Sequence, residues 1–267
     1  MSSLTITLVQ TNLHWEDKKA NLDMFSKKIE SIREKTEVVV LPEMFSTGFS
    51  MNVAPLAEDM NGDTIQWMKK TAADKKVIIT GSLIIEENKK PALPAGRYFN
   101  RLIWMLPNGE YGYYSKRHLF AYGNEHTKFT AGDKRLIASV KGWKINLQVC
   151  YDLRFPVWAR QSSPGEYDLL IYVANWPQQR IYAWKSLLPA RAIENQCYVI
   201  GVNRVGNDGN NIYHNGSSMI IDPMGEIIYQ KEHEEDVFTY TLQKEKVIQT
   251  REKFPFSRDA DSFQINV

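Results

Sequence analysis

The stretch Lys144-Ile145-Asn146-Leu147-Gln148-Val149-Cys150-Tyr151-Asp152-Leu153-Arg154-Phe155-Pro156 decides how this chain is read. Residues 143–149 predict a short strand, because Ile145, Leu147 and Val149 recur with period two on one face. Cys150 falls where that strand ends, and Pro156 suits the first turn of a following helix. A side chain between a strand end and a helix start is carried in a sharp turn and presented at a sheet rim. Helix amides beside it would favour a thiolate and could hold an oxyanion. Taken alone, however, the stretch leaves ahead the reading of Cys150 as a small buried apolar residue, the commonest state of a free cysteine.

Strands and helices alternate on either side of this stretch. Outward toward the N-terminus, residues 4–10 alternate in polarity with Leu4, Ile6 and Leu8 on one face, and Val38-Val39-Val40-Leu41 is short and wholly apolar, as a strand covered on both faces would be. Leu22, Phe25, Ile29 and Ile32 predict an amphipathic helix over 18–35, and a second helix starts at Asn61-Gly62-Asp63 with Ile65, Met68 and Ala72 on its stripe. Residues 77–85, 98–106 and 111–116 predict strands, the last two joined by the turn Pro107-Asn108-Gly109-Glu110. Segments 44–60 and 117–134 read as long loops, a class that is commonly functional. Beyond the anchor come a helix from about Phe155, a buried strand over 168–174, and a helix over 181–197 that contains Pro189, which removes one backbone bond and predicts a kink. Strands follow at 198–203, 217–222, 227–230 and 237–242, and the polar tail 243–267 reads as an arm. There are no repeats and no linker-like tracts, so the chain is expected to form one α/β domain with a mixed sheet.

Composition excludes several function classes. The 267 residues carry 33 basic and 31 acidic side chains, a formal charge of +2, which gives no reason to expect a nucleic-acid or anionic-membrane partner. Two cysteines are too few for a disulfide framework, although a Cys150–Cys197 bridge is possible on counting alone. The first ten residues lack the basic start and apolar core of a signal peptide, and no run reaches the roughly eighteen apolar residues of a membrane span. A reduced, cytoplasmic protein is the expectation. The five histidines form no ligand-like cluster, and C-x-x-C, H-E-x-x-H and glycine-rich phosphate loops are missing, so no metal or nucleotide cofactor is expected.

Glu43, Lys116 and Cys150 each close a predicted strand and open a loop. If those strands are neighbours, about 5 Å apart per step, the three groups meet at one rim. Singly, Glu43 reads as a solvated acid and Lys116 as a surface hairpin lysine. Together with their surroundings they are specific. Leu41-Pro42-Glu43-Met44-Phe45, Lys116-Arg117-His118-Leu119-Phe120 and Cys150-Tyr151-Asp152-Leu153-Arg154-Phe155-Pro156 resemble the three signature blocks of the nitrilase superfamily, the carbon–nitrogen hydrolases. Asn124-Glu125-His126, Ala190 to Gln196 and His214 to Ser218 resemble its other blocks, so the likeness runs over most of residues 4–240. Pro42 to Ser50, Asn175-Trp176-Pro177 and Asn203 to Gly209 resemble the bacterial omega-amidases. One departure is Val157, where many relatives carry an acid.

The resemblance implies an αββα layered sandwich with mixed sheets, a single domain over 1–267 with 243–267 as a C-terminal arm, and a homodimer. It implies Cys150 as nucleophile, Glu43 as general base, Lys116 as electrostatic stabiliser and Glu125 as a second acid. Lys116 and the Tyr151 backbone N–H would form the oxyanion hole. The implied reaction releases ammonia from small dicarboxylate monoamides such as 2-oxoglutaramate through a cysteine thioester. Arg154 and Arg180 are candidates to anchor the distal carboxylate, because a guanidinium fork matches its geometry. Phe45, Tyr122 and Trp176 are candidates to wall the pocket, against the equally open reading that each packs a core or a lid. Rival readings are a carbamoylase, aliphatic amidase or nitrilase on the same fold, a papain-like hydrolase pairing Cys150 with His214, and a non-catalytic binding protein. His118 and His126, flanking the predicted site, read as surface loop histidines or as supports behind it.

Overall fold

A computed structural model describes residues 2–87, 97–163 and 165–266. The first sheet contains β1 (Ser3–Gln10), β2 (Val38–Val40), β3 (Ile78–Glu87), β4 (Arg97–Met105) and β5 (Tyr111–Ser115). The second contains β6 (Leu136–Val140), β7 (Trp143–Val149), β8 (Leu169–Val173), β9 (Tyr198–Val202), β10 (Val205–Asn207), β11 (Tyr213–Ile221) and β12 (Ile227–Glu232), and β13 (Asp236–Gln243) returns to the first. The first sheet runs β13-β1-β2-β3-β4-β5; the second runs β10-β11-β9-β8-β7-β6, with β12 paired to β11. Each has a parallel centre, β1-β2-β3 and β7-β8-β9, flanked by antiparallel strands. Parallel neighbours require crossover connections, and these supply the helices.

The helices are α1 (Lys18–Glu30), α2 (Val53–Leu56), α3 (Asp63–Lys75), α4 (Glu125–Lys128), α5 (Pro156–Ala159), α6 (Ile181–Asn195) and α7 (Lys244–Lys253). Period two divides the strands between two cores. Leu4, Ile6, Leu8, Val38 and Val40 face inward and pack in one cluster with Ile145, Leu147 and Val149 of the other sheet. Val9, Val39 and Ile79 point the opposite way, onto Phe25 and Ile29 of α1 and Ile65 and Met68 of α3. On the far side α6 sets Trp184, Leu188 and Ala192 against the second sheet. The result is the expected αββα sandwich.

The departures from the sequence reading have local causes. The first helix stops at Glu30, where Ser31 caps it, rather than reaching 35. Strands β6 and β10 were not legible: β6 is largely half-exposed and β10 has three residues, so neither shows a clear apolar period. Residues 44–60 are no free loop, since Met44 to Gly48 are buried and α2 interrupts the rest. Segment 117–134 likewise holds α4. Pro189 lies inside α6. The tail begins as a helix fastened to its own chain, with Lys244 3.0 Å from Asp168, Lys246 2.5 Å from Asp222, and Arg251 donating to Tyr167 O at 2.7 Å. Both cysteines are free.

Candidate active site

Strand ends deliver the functional groups, but across the sandwich rather than along one rim. Glu43 follows β2 and Lys116 follows β5, two strands separated by β3 and β4, while Cys150 follows β7 in the other sheet. Simple neighbour spacing therefore does not bring them together; the packing of the two sheets does.

The centre is an ionic cluster sealed from solvent. Lys116 Nζ donates to Glu43 Oε1 at 2.9 Å and to Glu125, 2.9 Å from Oε2 and 3.1 Å from Oε1, and all three side chains have 0% exposure. Two of the three ammonium hydrogens are used, which leaves one to be donated elsewhere. Phe49 lies over the ammonium, 5.3 Å from ring centroid to Nζ. Burial pulls the Lys116 pKa down, but the Glu125 and Glu43 carboxylates outweigh it and hold the ammonium above its ordinary value. The Glu125 carboxyl is raised by burial and by the Glu43 charge, against the pull of Lys116.

Each member is clamped by backbone. Lys116 N donates to Asn100 O at 2.9 Å, and its carbonyl accepts from Gly132 N at 2.9 Å. A Cβ on Gly132 would stand 2.0 Å from Ser115 O, so only glycine lets that returning segment lie so close. Glu125 Oε2 accepts from Phe120 N at 2.6 Å, and Glu43 Oε2 accepts from Asn175 N at 2.8 Å.

Cys150 has φ +46°, in the left-handed region that costs an L residue about 1–2 kcal/mol. The turn is held there by Asp152, a fully buried carboxylate that accepts four hydrogen bonds. Val149 N and Tyr114 Oη reach Oδ2 at 3.0 and 2.7 Å; His118 N and Nδ1 reach Oδ1 at 2.9 and 2.8 Å. Arg191 of α6 holds the other end through Leu153 O at 2.6 Å. Sequence reasoning missed Asp152, Asn100 and Arg191 as site residues, and read Asn175 only as part of a family-like block. Asp152 alone carried a signal, an acid two residues after Cys150, where it can bond back to the strand-end amide.

The turn amides would favour a thiolate, but burial acts on the thiol in the opposite sense. Burial raises its pKa well above the ordinary range and the Glu43 charge adds to this, while Lys116 opposes. The helical turn does not produce a resting thiolate. The sulfur is the one member of the group that borders a cavity of about 560 Å³; Glu43, Lys116 and Glu125 lie behind it. A thiol that is neutral at rest, with a carboxylate behind it, requires a proton acceptor at the moment of attack.

Tyr122, Arg154, Trp176 and Arg180 line this cavity, as does Tyr151. Arg154 lies 5.0 Å over the Trp176 ring, and Arg180 lies 4.9 Å over Phe120 and 5.9 Å over Tyr122. Among the described residues neither guanidinium has a carboxylate partner. Phe45 is a correction: it has 0% exposure and packs edge-on to Phe25, 5.5 Å between centroids, in the core under α1 and α3. A Cβ on Gly81 would lie 2.8 Å from its ring, which shows how tightly that slot is filled. His118 stacks on Phe155 behind the turn at 3.8 Å, whereas His126 is exposed. Val157 is 52% exposed and outside the cavity. His214 lines the cavity, but its Nδ1 is 2.9 Å from Ile212 O, and burial lowers its pKa to about 4. The described residues contain no cluster of metal-ligating side chains, and no helix among them is long and apolar enough to cross a membrane.

A sequence model of the carbon-nitrogen hydrolase family matches residues 5–252. The chain therefore belongs to the carbon–nitrogen hydrolases, the nitrilase superfamily, and is a hydrolase of carbon–nitrogen bonds other than peptide bonds. It is 43% identical over 268 residues to the omega-amidase YafV of Escherichia coli K12, covering 99% of this chain and 100% of that one. It is 32% identical over 258 residues to a 2-oxoglutaramate amidase of Bacillus subtilis, covering 96% of each. A crystal structure of a superfamily protein from Xanthomonas campestris, with an arsenic adduct in its active site, superposes with a TM-score of 0.93 at 42% identity over all of both chains. Within the family this places the chain in the omega-amidase branch.

Proposed function

We propose that this chain hydrolyses the terminal amide of small dicarboxylate monoamides of the 2-oxoglutaramate type. One observation carries the reading: a buried Glu43–Lys116–Glu125 cluster backs a cysteine that opens into a cavity holding two arginines that have no acid partner among the described residues. The names of the omega-amidase and 2-oxoglutaramate amidase relatives support it.

In this mechanism Glu43 accepts the Cys150 proton as substrate binds, and the sulfur forms a bond to the amide carbon. The oxyanion takes the third Lys116 N–H and the Tyr151 backbone N–H; removing one such donor typically costs about 2.7–4 kcal/mol in the transition state. Glu43 returns its proton to the nitrogen, the C–N bond breaks and ammonia leaves a thioester. Water, deprotonated by Glu43, attacks that thioester and expels the sulfur, which recovers its proton. Glu125 touches no reacting atom in this scheme; it fixes the ammonium.

Ammonia release from a panel of monoamides, with Cys150→Ala as control, tests the reading. A mass increase on Cys150 equal to the acyl group supports it, and release of carbon dioxide with an amine, or turnover of nitriles alone, would move the chain to another activity of the family. Arg154→Ala and Arg180→Ala are each expected to raise KM for an anionic monoamide. The loss of a charged hydrogen bond is worth about 1.5–3 kcal/mol, roughly ten- to a hundredfold. KM for a neutral aliphatic amide should stay where it was; an equal rise for both would remove the arginines from acid recognition.

The reading includes a cytoplasmic homodimer. Tyr182 and Ile193 of α6 are 83% and 55% exposed, apolar surface that a second copy would cover. Sedimentation equilibrium showing a monomer at micromolar concentration would count against the dimer.

A further inference from the structure

We propose that Asn100 is a positioning residue for the reaction, its side-chain amide bridging Glu43 and Glu125 so that Glu43 is held as the acceptor of the Cys150 proton. The proposal rests on the reading of Glu43 as general base. Asn100 lies on β4, has no exposure and does not border the cavity. Its Nδ2 donates to Glu43 Oε1 at 2.8 Å and to Glu125 Oε1 at 3.1 Å. Those are two of the oxygens to which Lys116 Nζ donates, at 2.9 and 3.1 Å. Two carboxylates are thus joined twice, once by an ammonium and once by a neutral amide.

The orientation of that amide is fixed by charge. Turned by half a rotation, it would set Oδ1 against two carboxylate oxygens. As it stands Oδ1 is buried without a partner among the described residues. A buried acceptor left unpaired opposes folding, so the side chain is better explained by what its two N–H groups do than by stability.

The charge balance supplies the reason. If both glutamates are ionised, one ammonium faces two negative charges in a site sealed from solvent, and burial together with the Glu43 charge favours proton uptake at Glu125. Each N–H aimed at an ionised oxygen opposes that uptake. The groups facing the pair are the Lys116 ammonium, the Cys150 thiol, the Asn100 amide, and the backbone N–H groups of Asn175 and Phe120. Lys116 shares its three N–H groups between the carboxylates and the oxyanion during turnover, whereas Asn100 aims both of its N–H groups at the carboxylates throughout. Without it the pair protonates more readily, and a protonated Glu43 cannot receive the thiol proton.

The test compares wild type with Asn100→Leu, which keeps the volume and loses both donors, and Asn100→Ser, which keeps one. Profiles of kcat/KM against pH are measured with 2-oxoglutaramate, together with the pH dependence of Cys150 alkylation by iodoacetamide. For Asn100→Leu the acid limb of both profiles should move to higher pH, kcat at neutral pH should fall about a hundredfold or more, and KM should change little, because a general base contributes about 10²–10⁴. Asn100→Ser should fall between. Acid limbs that coincide with wild type in whichever variant folds would overturn the proposal. Full turnover by Glu43→Gln would instead overturn the reading on which it rests.

Discussion

Lys116→Met is expected to abolish measurable ammonia release and to lower the unfolding free energy by about 3–5 kcal/mol, the usual result of removing one partner from a buried ionic group. Methionine fills much the same volume, so the effect is one of charge. Glu43 and Glu125 would be left facing each other with 0% exposure and no cation. The penalty should depend on pH. Burial and the Glu43 charge already raise the Glu125 pKa in the native protein, and loss of the ammonium raises it further. A carboxyl raised in the folded state binds more protons there than in the unfolded chain, so stability falls as pH rises through the folded value. The difference between variant and wild type should therefore be large at neutral pH and shrink as the solution approaches the ordinary carboxyl value of 4.5. Urea unfolding at both pH values checks this. An equal deficit at each would mean that packing, not charge, was lost.

Glu43→Gln should reduce kcat by about 10²–10⁴ with the fold retained, the range that general-base catalysis supplies. Lys116 and Asn100 both donate to Oε1, so the glutamine oxygen must occupy that place. Its NH2 then meets the Asn175 backbone N–H where Oε2 had accepted at 2.8 Å, a clash of donors worth about 1–3 kcal/mol of stability. The companion variant His214→Ala should keep most of the turnover. His214 is held by Ile212 O, and the charges that act on the Cys150 thiol are those of Glu43, Lys116 and Glu125. A papain-like mechanism predicts the opposite pair of outcomes, so kcat for these two variants decides between the schemes.

Much of the fold was readable because burial writes itself into sequence with a fixed period. Leu4, Ile6 and Leu8 against Val9, or Ile145, Leu147 and Val149, sort their strands into two cores without any knowledge of neighbours. Half-exposed β6 and three-residue β10 were lost for want of that contrast. Phe45 shows the complementary failure. It lies two residues from a candidate site residue, but the chain turns between them at Met44, φ +43°, so Phe45 enters the core while Glu43 turns to the cluster.

By itself the sequence determined which chemical groups are present, which stand at strand ends, and which family blocks they resemble. Local rules reach that far, since turns, caps and apolar period involve residues a few positions apart. Only the tertiary structure decided that Glu43 and Lys116 from one sheet meet Cys150 from the other, that Asn100 and Asp152 tie them in place, and that the thiol rests neutral. These properties depend on low-dielectric burial and on hydrogen bonds between residues such as Glu43 and Asn175, 132 positions apart. Distance and desolvation at that range are set by how two sheets pack, and no stretch of the chain encodes them on its own.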